Sequence, residues 1–327
     1  MSELLVHIGY HKTATSWLQR HLFENATLGL TRTHSRYELK HPVVGPHDYD
    51  FDSAECRAYF QPAIERARAS GLLPVVSHER LSGEIHIGAR DSKGIADRLA
   101  ATFPEAHVLI VIREQRTMLR SIYGQFIKGT GVWRLRDYLT PPVVEKKHFK
   151  YALFRLDHFR YDRPIAYYQR LFGRENVTVL PFELFRENPK QFVRRILDDA
   201  AVPVTPNALN TLPFAREVNP SLSAIGIEIK RIFNRVAGQR TPFNTTPLLP
   251  LGDPDKRLQK LAFRIDRTLP AAWRQAANRR MAAQIERTVG DFYAESNRRT
   301  AELTGLDLKN YGYQLPSGRQ RAAPSSV

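Results

Sequence analysis

Cysteine is almost missing from the chain: Cys56 is the only one in 327 residues. No intrachain disulfide can form, and cysteines cannot build a zinc site. Long apolar runs are missing too, and no stretch approaches the roughly 18 residues of a membrane span. Met1-Ser2-Glu3 before the short apolar run from Leu4 to Ile8 is too short and too acidic for a signal peptide. These absences lead to the expectation of a cytoplasmic protein without a transmembrane segment. Acidic residues are also in deficit, 33 against 49 Lys and Arg, which leaves a net charge of +16. That excess favours anionic partners such as a phosphorylated nucleotide, an acidic glycan, nucleic acid or an anionic membrane, and selects none of them alone.

What is present is an alternation of two patterns. Leu4–Gly9, Leu73–Ser77, Val108–Ile112 and Val177–Leu180 are short runs rich in Val, Ile and Leu, the pattern of strands buried on both faces. Helical patterns lie between them. Met118, Leu119, Ile122, Tyr123 and Phe126 make one apolar stripe of a helix starting near Gln115. Pro164 opens another that closes at Gly173. The order predicts an α/β domain with a mostly parallel sheet flanked by helices. After Pro213 the patterns become helical and Arg-rich over Leu222–Val236, Asp255–Thr268 and Ala276–Thr304. A stretch from Thr241 to Pro254 reads as a loop that covers a site or meets a partner. The expected organisation is one domain over residues 1–315, with an α/β nucleotide-binding core to 212 and a helical part over 213–315. Residues 316–327 read as a disordered tail.

Two strand–helix junctions carry the chemistry. The first is Gly9-Tyr10-His11-Lys12-Thr13-Ala14-Thr15-Ser16-Trp17-Leu18, where a strand ends, a tight loop follows and a helix begins. A helix start offers unpaired N–H groups and the positive end of its dipole to a phosphate. Lys12 adds a full charge, and Thr13, Thr15 and Ser16 add hydroxyl donors. An ATP-binding Walker A loop would place lysine directly before the helix-opening hydroxyl residue, after a second glycine. Here Lys12 stands three residues before Thr15 and that glycine is missing. The second junction follows Val108–Ile112, where Arg113 precedes Ser121 by eight residues. A guanidinium binds phosphate bidentately, and a serine two helical turns on adds a donor.

The first loop resembles the 5′-phosphosulfate loop of sulfotransferases that use 3′-phosphoadenosine 5′-phosphosulfate (PAPS), a family whose loop reads P-K-[ST]-[GA]-T-[TS]-W-L. His11 occupies the first position, and Ala14 stands where Gly is commoner. The second junction resembles the family's 3′-phosphate site, R-x(7)-S-x-Y, with Gln115 where Pro is usual. Phe172-Gly173-Arg174-Glu175-Asn176-Val177, with Phe182-Glu183 in place of Tyr-Glu, resembles a further family segment. Arg216–Ser223 is similar to an Asn/Ser segment that closes near the nucleotide, and Asn297–Leu308 to a family C-terminus.

The resemblance implies a P-loop NTPase-like fold. It also implies PAPS as co-substrate, no metal, and transfer of a sulfuryl group to an acceptor hydroxyl or amine. His11, Lys12, Thr13, Ala14, Thr15, Ser16, Trp17, Arg113 and Ser121 would hold the nucleotide, and Lys12 would stabilise the leaving group. The family's base follows its second strand, which here puts Ser77, His78 and Glu79 in the frame. Glu79 is favoured and His78 is the close alternative, since an unperturbed imidazole suits proton transfer. The acceptor is a small molecule, glycan or lipid, and the sequence does not choose among them; nor does it give the oligomeric state. Two other classes compete. A P-loop kinase or NTPase would need the Walker lysine that is missing. A nucleic-acid-binding protein would need a basic stripe with interleaved aromatics, and the Arg residues here are scattered through apolar-patterned helices.

Overall fold

Val108, Ile110 and Ile112 share one buried cluster while Leu109 and Val111 share another, as alternate residues of a strand covered on both faces must. In the computed structural model this strand, β4 (His107–Ile112), has every residue buried. The structure describes the chain except residues 1–2, 36–37, 39, 142–153, 206, 215–220, 251–254 and 318–327. Most of the Arg216–Ser223 segment and of the expected tail therefore lies outside the described residues.

The other strands are β1 (Leu5–His7), β2 (Leu30–Arg32), β3 (Leu73–Ser77) and β5 (Val177–Pro181). They form one sheet in the order β2-β3-β1-β4-β5, and every pairing is parallel. The α/β class and parallel sheet expected from the sequence are what the chain adopts. β2 was not anticipated. Its sequence, Leu-Thr-Arg, carries no strand pattern, and pairing of Leu30 with Leu73 through Arg32 with Val75 makes it a strand.

Helix α1 (Thr15–Trp17) runs on as a π-helical turn over Leu18–Leu22. α2 (Ser53–Ala69), α3 (Ser92–Thr102), α4 (Gln115–Lys128), α5 (Leu135–Leu139), α6 (Asp162–Phe172), α7 (Phe182–Glu187) and α8 (Pro189–Asp199) follow. Trp17, Leu18, Leu22 and α8 residues Phe192, Val193 and Ile196 pack on the face carrying Leu109. Residues of α2, α3, α4 and α6 pack on the other. The C-terminal part supplies α9 (Ala224–Val236), α10 (Asp255–Thr268), α11 (Ala271–Val289) and α12 (Ala294–Thr304). The single pattern read over Ala276–Thr304 is two helices. Gly290, at φ 52°, breaks it, and the first begins earlier, after Pro270.

The connection leaving β1 runs toward β2, and the one leaving β4 runs the other way, toward β5. The carboxyl ends of these adjacent strands are thus the switch point at which open α/β sheets bind ligands. Both phosphate-type junctions of the sequence lie there.

Candidate active site

The loop after β1 is held from several sides. Ile8 N–H donates to Leu109 O at 3.2 Å and His78 N–H to His7 O at 3.3 Å, which ties the ends of β1, β4 and β3 together. Gly9 has to be glycine, because a Cβ there would stand 2.4 Å from the His7 ring and 2.7 Å from Thr15 Oγ1. Lys12 and Ala14 both take left-handed backbone, with φ of 67° and 63°. A residue with a Cβ costs about 1–2 kcal/mol there, which accounts for Gly being commoner at the position of Ala14. Two left-handed residues within three turn the chain sharply enough to start α1 at Thr15. Ala14 caps that helix and brings no side-chain acceptor to its first-turn N–H groups.

Of the three hydroxyls expected to serve a phosphate, two are engaged elsewhere. Thr13 is fully buried and its Oγ1 donates to Tyr10 O at 2.6 Å; Thr15 Oγ1 shares that carbonyl at 3.5 Å. Ser16 is the exposed one. The Trp17 ring does not face the loop. It is buried against Phe185 and stacked on Phe214, with Nε1 donating to Pro213 O at 3.4 Å. The ring thus anchors the helix, and the loop residues themselves remain to meet a ligand.

Lys12 and Arg113, 101 residues apart, meet directly: Arg113 Nη1 donates to Lys12 O at 3.0 Å. The guanidinium is oriented further by Nε donating to Thr117 Oγ1 at 3.1 Å and by the Phe182 ring, 5.0 Å from its centre. Tyr161 fixes the Arg113 backbone, its hydroxyl donating to Arg113 O at 2.8 Å. Thr117 and half-buried Ser121 are four residues apart on α4 and so share a line of its surface, and Arg113, just before the helix, reaches the first of them.

Burial dominates the electrostatics of both cations. Lys12 is held below its ordinary pKa, first because surrounding protein displaces water and then by the like charges of Lys128 and Arg113; Glu79 opposes them. Arg113 is shifted down by burial, with Glu183 opposing. Lys128, in the last turn of α4, is a member of the site that the sequence did not suggest, as are Phe182 and Tyr161. Their closeness arises from tertiary packing, and no local spacing announces it.

His78 and Glu79 follow β3. His78 is buried, and its Nδ1 accepts from Arg80 N at 2.9 Å, capping the 3₁₀ turn Glu79–Ser82. Glu79 Oε2 lies 3.9 Å from that nitrogen. The Glu79 side chain keeps 17% exposure against 2% for His78. The charge of Glu79 is felt at Lys12, His11 and His7, raising the pKa of each against the burial that lowers it. His11 still falls to about 4, and its Nδ1 is buried without a hydrogen-bond partner among the described residues. A neutral imidazole, a lysine, an arginine and a carboxylate therefore converge on one strand-end crevice. Such a set can bind an anion at two points and take a proton between them.

A cavity of about 310 Å³ opens beside the loop, between Ile8 and Tyr10 on one side and Ser82, Lys93 and His158 on the other. Among the described residues no group of three or more His, Cys, Asp or Glu side chains is placed to share a metal ion. His34 is a buried structural residue, its Nε2 accepting from Ser77 N at 3.2 Å. His47 is exposed, and the side chain of His41 lies outside the described residues.

No family model matches the chain, and no curated protein matches it. Among solved structures, a sulfotransferase from Alicyclobacillus acidocaldarius is similar at 21% identity, covering 66% of this chain and 86% of its own, with a TM-score of 0.47. The sulfotransferase domain of the curacin biosynthetic pathway is similar at 12% identity, covering 88% of this chain and 98% of its own, with a TM-score of 0.37.

Proposed function

We propose that the chain is a sulfotransferase that takes its sulfuryl group from PAPS. The observation that carries this reading is the contact of Arg113 with Lys12 at the carboxyl ends of adjacent strands, each at the start of a helix. Two cationic points side by side suit a ligand with two separate phosphate groups. Burial lowers the pKa of both, and Arg113 lowers that of Lys12 further, a repulsion that an added anion relieves. When bound, PAPS would supply an activated sulfuryl group on a bisphosphate leaving group.

The residues then divide the work. Lys12 faces the 5′ end, where negative charge grows as the S–O bond to the nucleotide breaks. The first-turn N–H groups of α1 and the Ser16 hydroxyl add donors there. Arg113, oriented by Thr117 and Phe182, takes the 3′-phosphate with Ser121. Glu79 accepts the proton of the acceptor as its oxygen or nitrogen bonds to sulfur. His78 is the weaker candidate, because its Nδ1 already caps the following turn. Positioning and charge stabilisation carry such a loose in-line displacement.

Adenosine 3′,5′-bisphosphate at about 100 times its dissociation constant stabilises the fold by about 2.7 kcal/mol, a rise of several degrees in Tm. ATP with Mg²⁺ is expected to give less. Equal or greater stabilisation by ATP would instead point to a kinase or NTPase. For the base, Glu79→Gln is expected to lower transfer on the order of 10²–10⁴-fold with bisphosphate stabilisation intact. Retained transfer in that variant moves the role to His78.

A further inference from the structure

Of the nine most exposed large apolar side chains among the described residues, six lie between positions 232 and 273: Ile232, Val236, Leu248, Leu249, Leu261 and Trp273. Several of them are neighbours in space. Ile232 and Val236 stand one turn apart on α9. Leu248 and Leu249 are pinned to the end of that helix, their N–H groups donating to Arg235 O at 3.1 Å and Val236 O at 2.8 Å. Ser223 N–H, at the start of α9, donates to Asp266 near the end of α10 at 2.9 Å, so the two packed helices run antiparallel. Leu261, 45% exposed, lies on α10, and Trp273, 63% exposed, follows that helix.

The charges around these residues are mostly positive. Residues 228–290 contain thirteen Lys and Arg against five Asp and Glu. Three of the five are internally used: Asp266 holds Ser223, Glu228 pairs with Arg231 and Glu286 with Arg116. Arg257 and Arg264 are exposed at four residues before and three after Leu261, with exposed Lys260 between them. Apolar side chains open to solvent beside exposed cations are the pattern of a surface that lies on an anionic bilayer, leucines entering the interface and Arg and Lys meeting headgroups. A second copy of the chain fits poorly, because a self-complementary contact would press this basic region against itself.

We infer that the α9–α10 face, with Leu248 and Leu249, is a docking surface for anionic lipid membranes. The inference rests on this face alone and stands or falls apart from the nucleotide assigned to the strand ends. The segment after α9 is also anchored to the core. Thr241 Oγ1 bonds Thr130 Oγ1 at 2.8 Å, and Phe243, a few residues before the two leucines, packs on Phe126 and His86. The described part of the loop read over Thr241–Pro254 thus has Phe243 against the core and Leu248 and Leu249 at the surface.

The test is cosedimentation of the full chain with vesicles of phosphatidylcholine plus phosphatidylglycerol, against vesicles of phosphatidylcholine alone. Sedimentation with the anionic vesicles only, weakened by salt, is the expected result. Leu248→Ser with Leu249→Ser should reduce partitioning at least about tenfold. Arg257→Gln with Arg264→Gln should reduce it roughly twentyfold, about fivefold per cation. All four side chains are exposed, so the variants should keep the wild-type Tm and the response to adenosine 3′,5′-bisphosphate. Failure to bind anionic vesicles, equal binding to neutral ones, or binding undiminished by the leucine pair would overturn the inference. So would a dimer in solution that the leucine pair dissolves.

Discussion

Replacing Lys12 with alanine is expected to slow sulfuryl transfer on the order of 10²–10³-fold, about 3–4 kcal/mol of transition-state stabilisation. The size of the effect follows from where charge develops. In the ground state the 5′ end is already anionic, and several donors share it. In the transition state the breaking S–O bond adds charge at one oxygen, and the flexible ammonium of Lys12 is the full cation of this loop. Lys128 and Arg113 already repel that ammonium, so its interaction with an arriving anion gains from relief as well as attraction. The variant introduces no new backbone strain, because alanine and lysine both carry a Cβ at φ 67°. The measurement is the rate of adenosine 3′,5′-bisphosphate release from PAPS in the presence of an acceptor, with Tm recorded alongside. An unchanged rate in a folded variant would remove Lys12 from the chemistry.

The second large effect is on acid stability. Burial lowers the pKa of His7 to about 3 and of His34 to about 4, against about 6.5 in an unfolded chain. The folded state excludes these protons while the unfolded state binds them below pH 6.5. Stability contributed by the neutral imidazoles is therefore complete above that pH and falls as pH drops toward 4. Each group removes about 1.4 kcal/mol per pH unit in that window. The two together take about 7 kcal/mol between pH 6.5 and 4, comparable to the whole stability of an ordinary domain. His11, His86 and His158 are shifted in the same direction, also first by burial. Cooperative unfolding, followed by circular dichroism, is expected before pH 4 is reached. His7→Gln with His34→Gln should flatten the pH dependence even if it lowers the plateau. A fold that survives at pH 4 with undiminished Tm would contradict this.

Much of the fold was legible because its signals are local. Leu73–Ser77 and Asp255–Thr268 read from the sequence with the bounds the structure gives them. A continuous apolar run between turn residues and an amphipathic stripe each leave little choice. β2 was invisible because three residues carry no period; its partner β3 makes it a strand. Lys12, Arg113 and Glu79 could be named from strand–helix junctions. Their contacts could not. Nothing local says that Phe182 stacks on Arg113, that Lys128 shares the field of Lys12, or that Thr13 gives its hydroxyl to Tyr10 O. Likewise the +16 charge pointed to anions in general, and folding was needed to tie exposed Leu248 and Leu249 to the end of α9.

In the proposed function Lys12 and Arg113 read two different phosphates of one ligand. Calorimetric titration with adenosine 3′,5′-bisphosphate and with adenosine 5′-monophosphate tests it directly. A charge-assisted hydrogen bond to the 3′-phosphate predicts a wild-type preference for the bisphosphate of roughly tenfold or more. Arg113→Ala should bind the two nucleotides alike, while Lys12→Ala should weaken both and keep the preference. A full preference for the bisphosphate in Arg113→Ala would contradict the account.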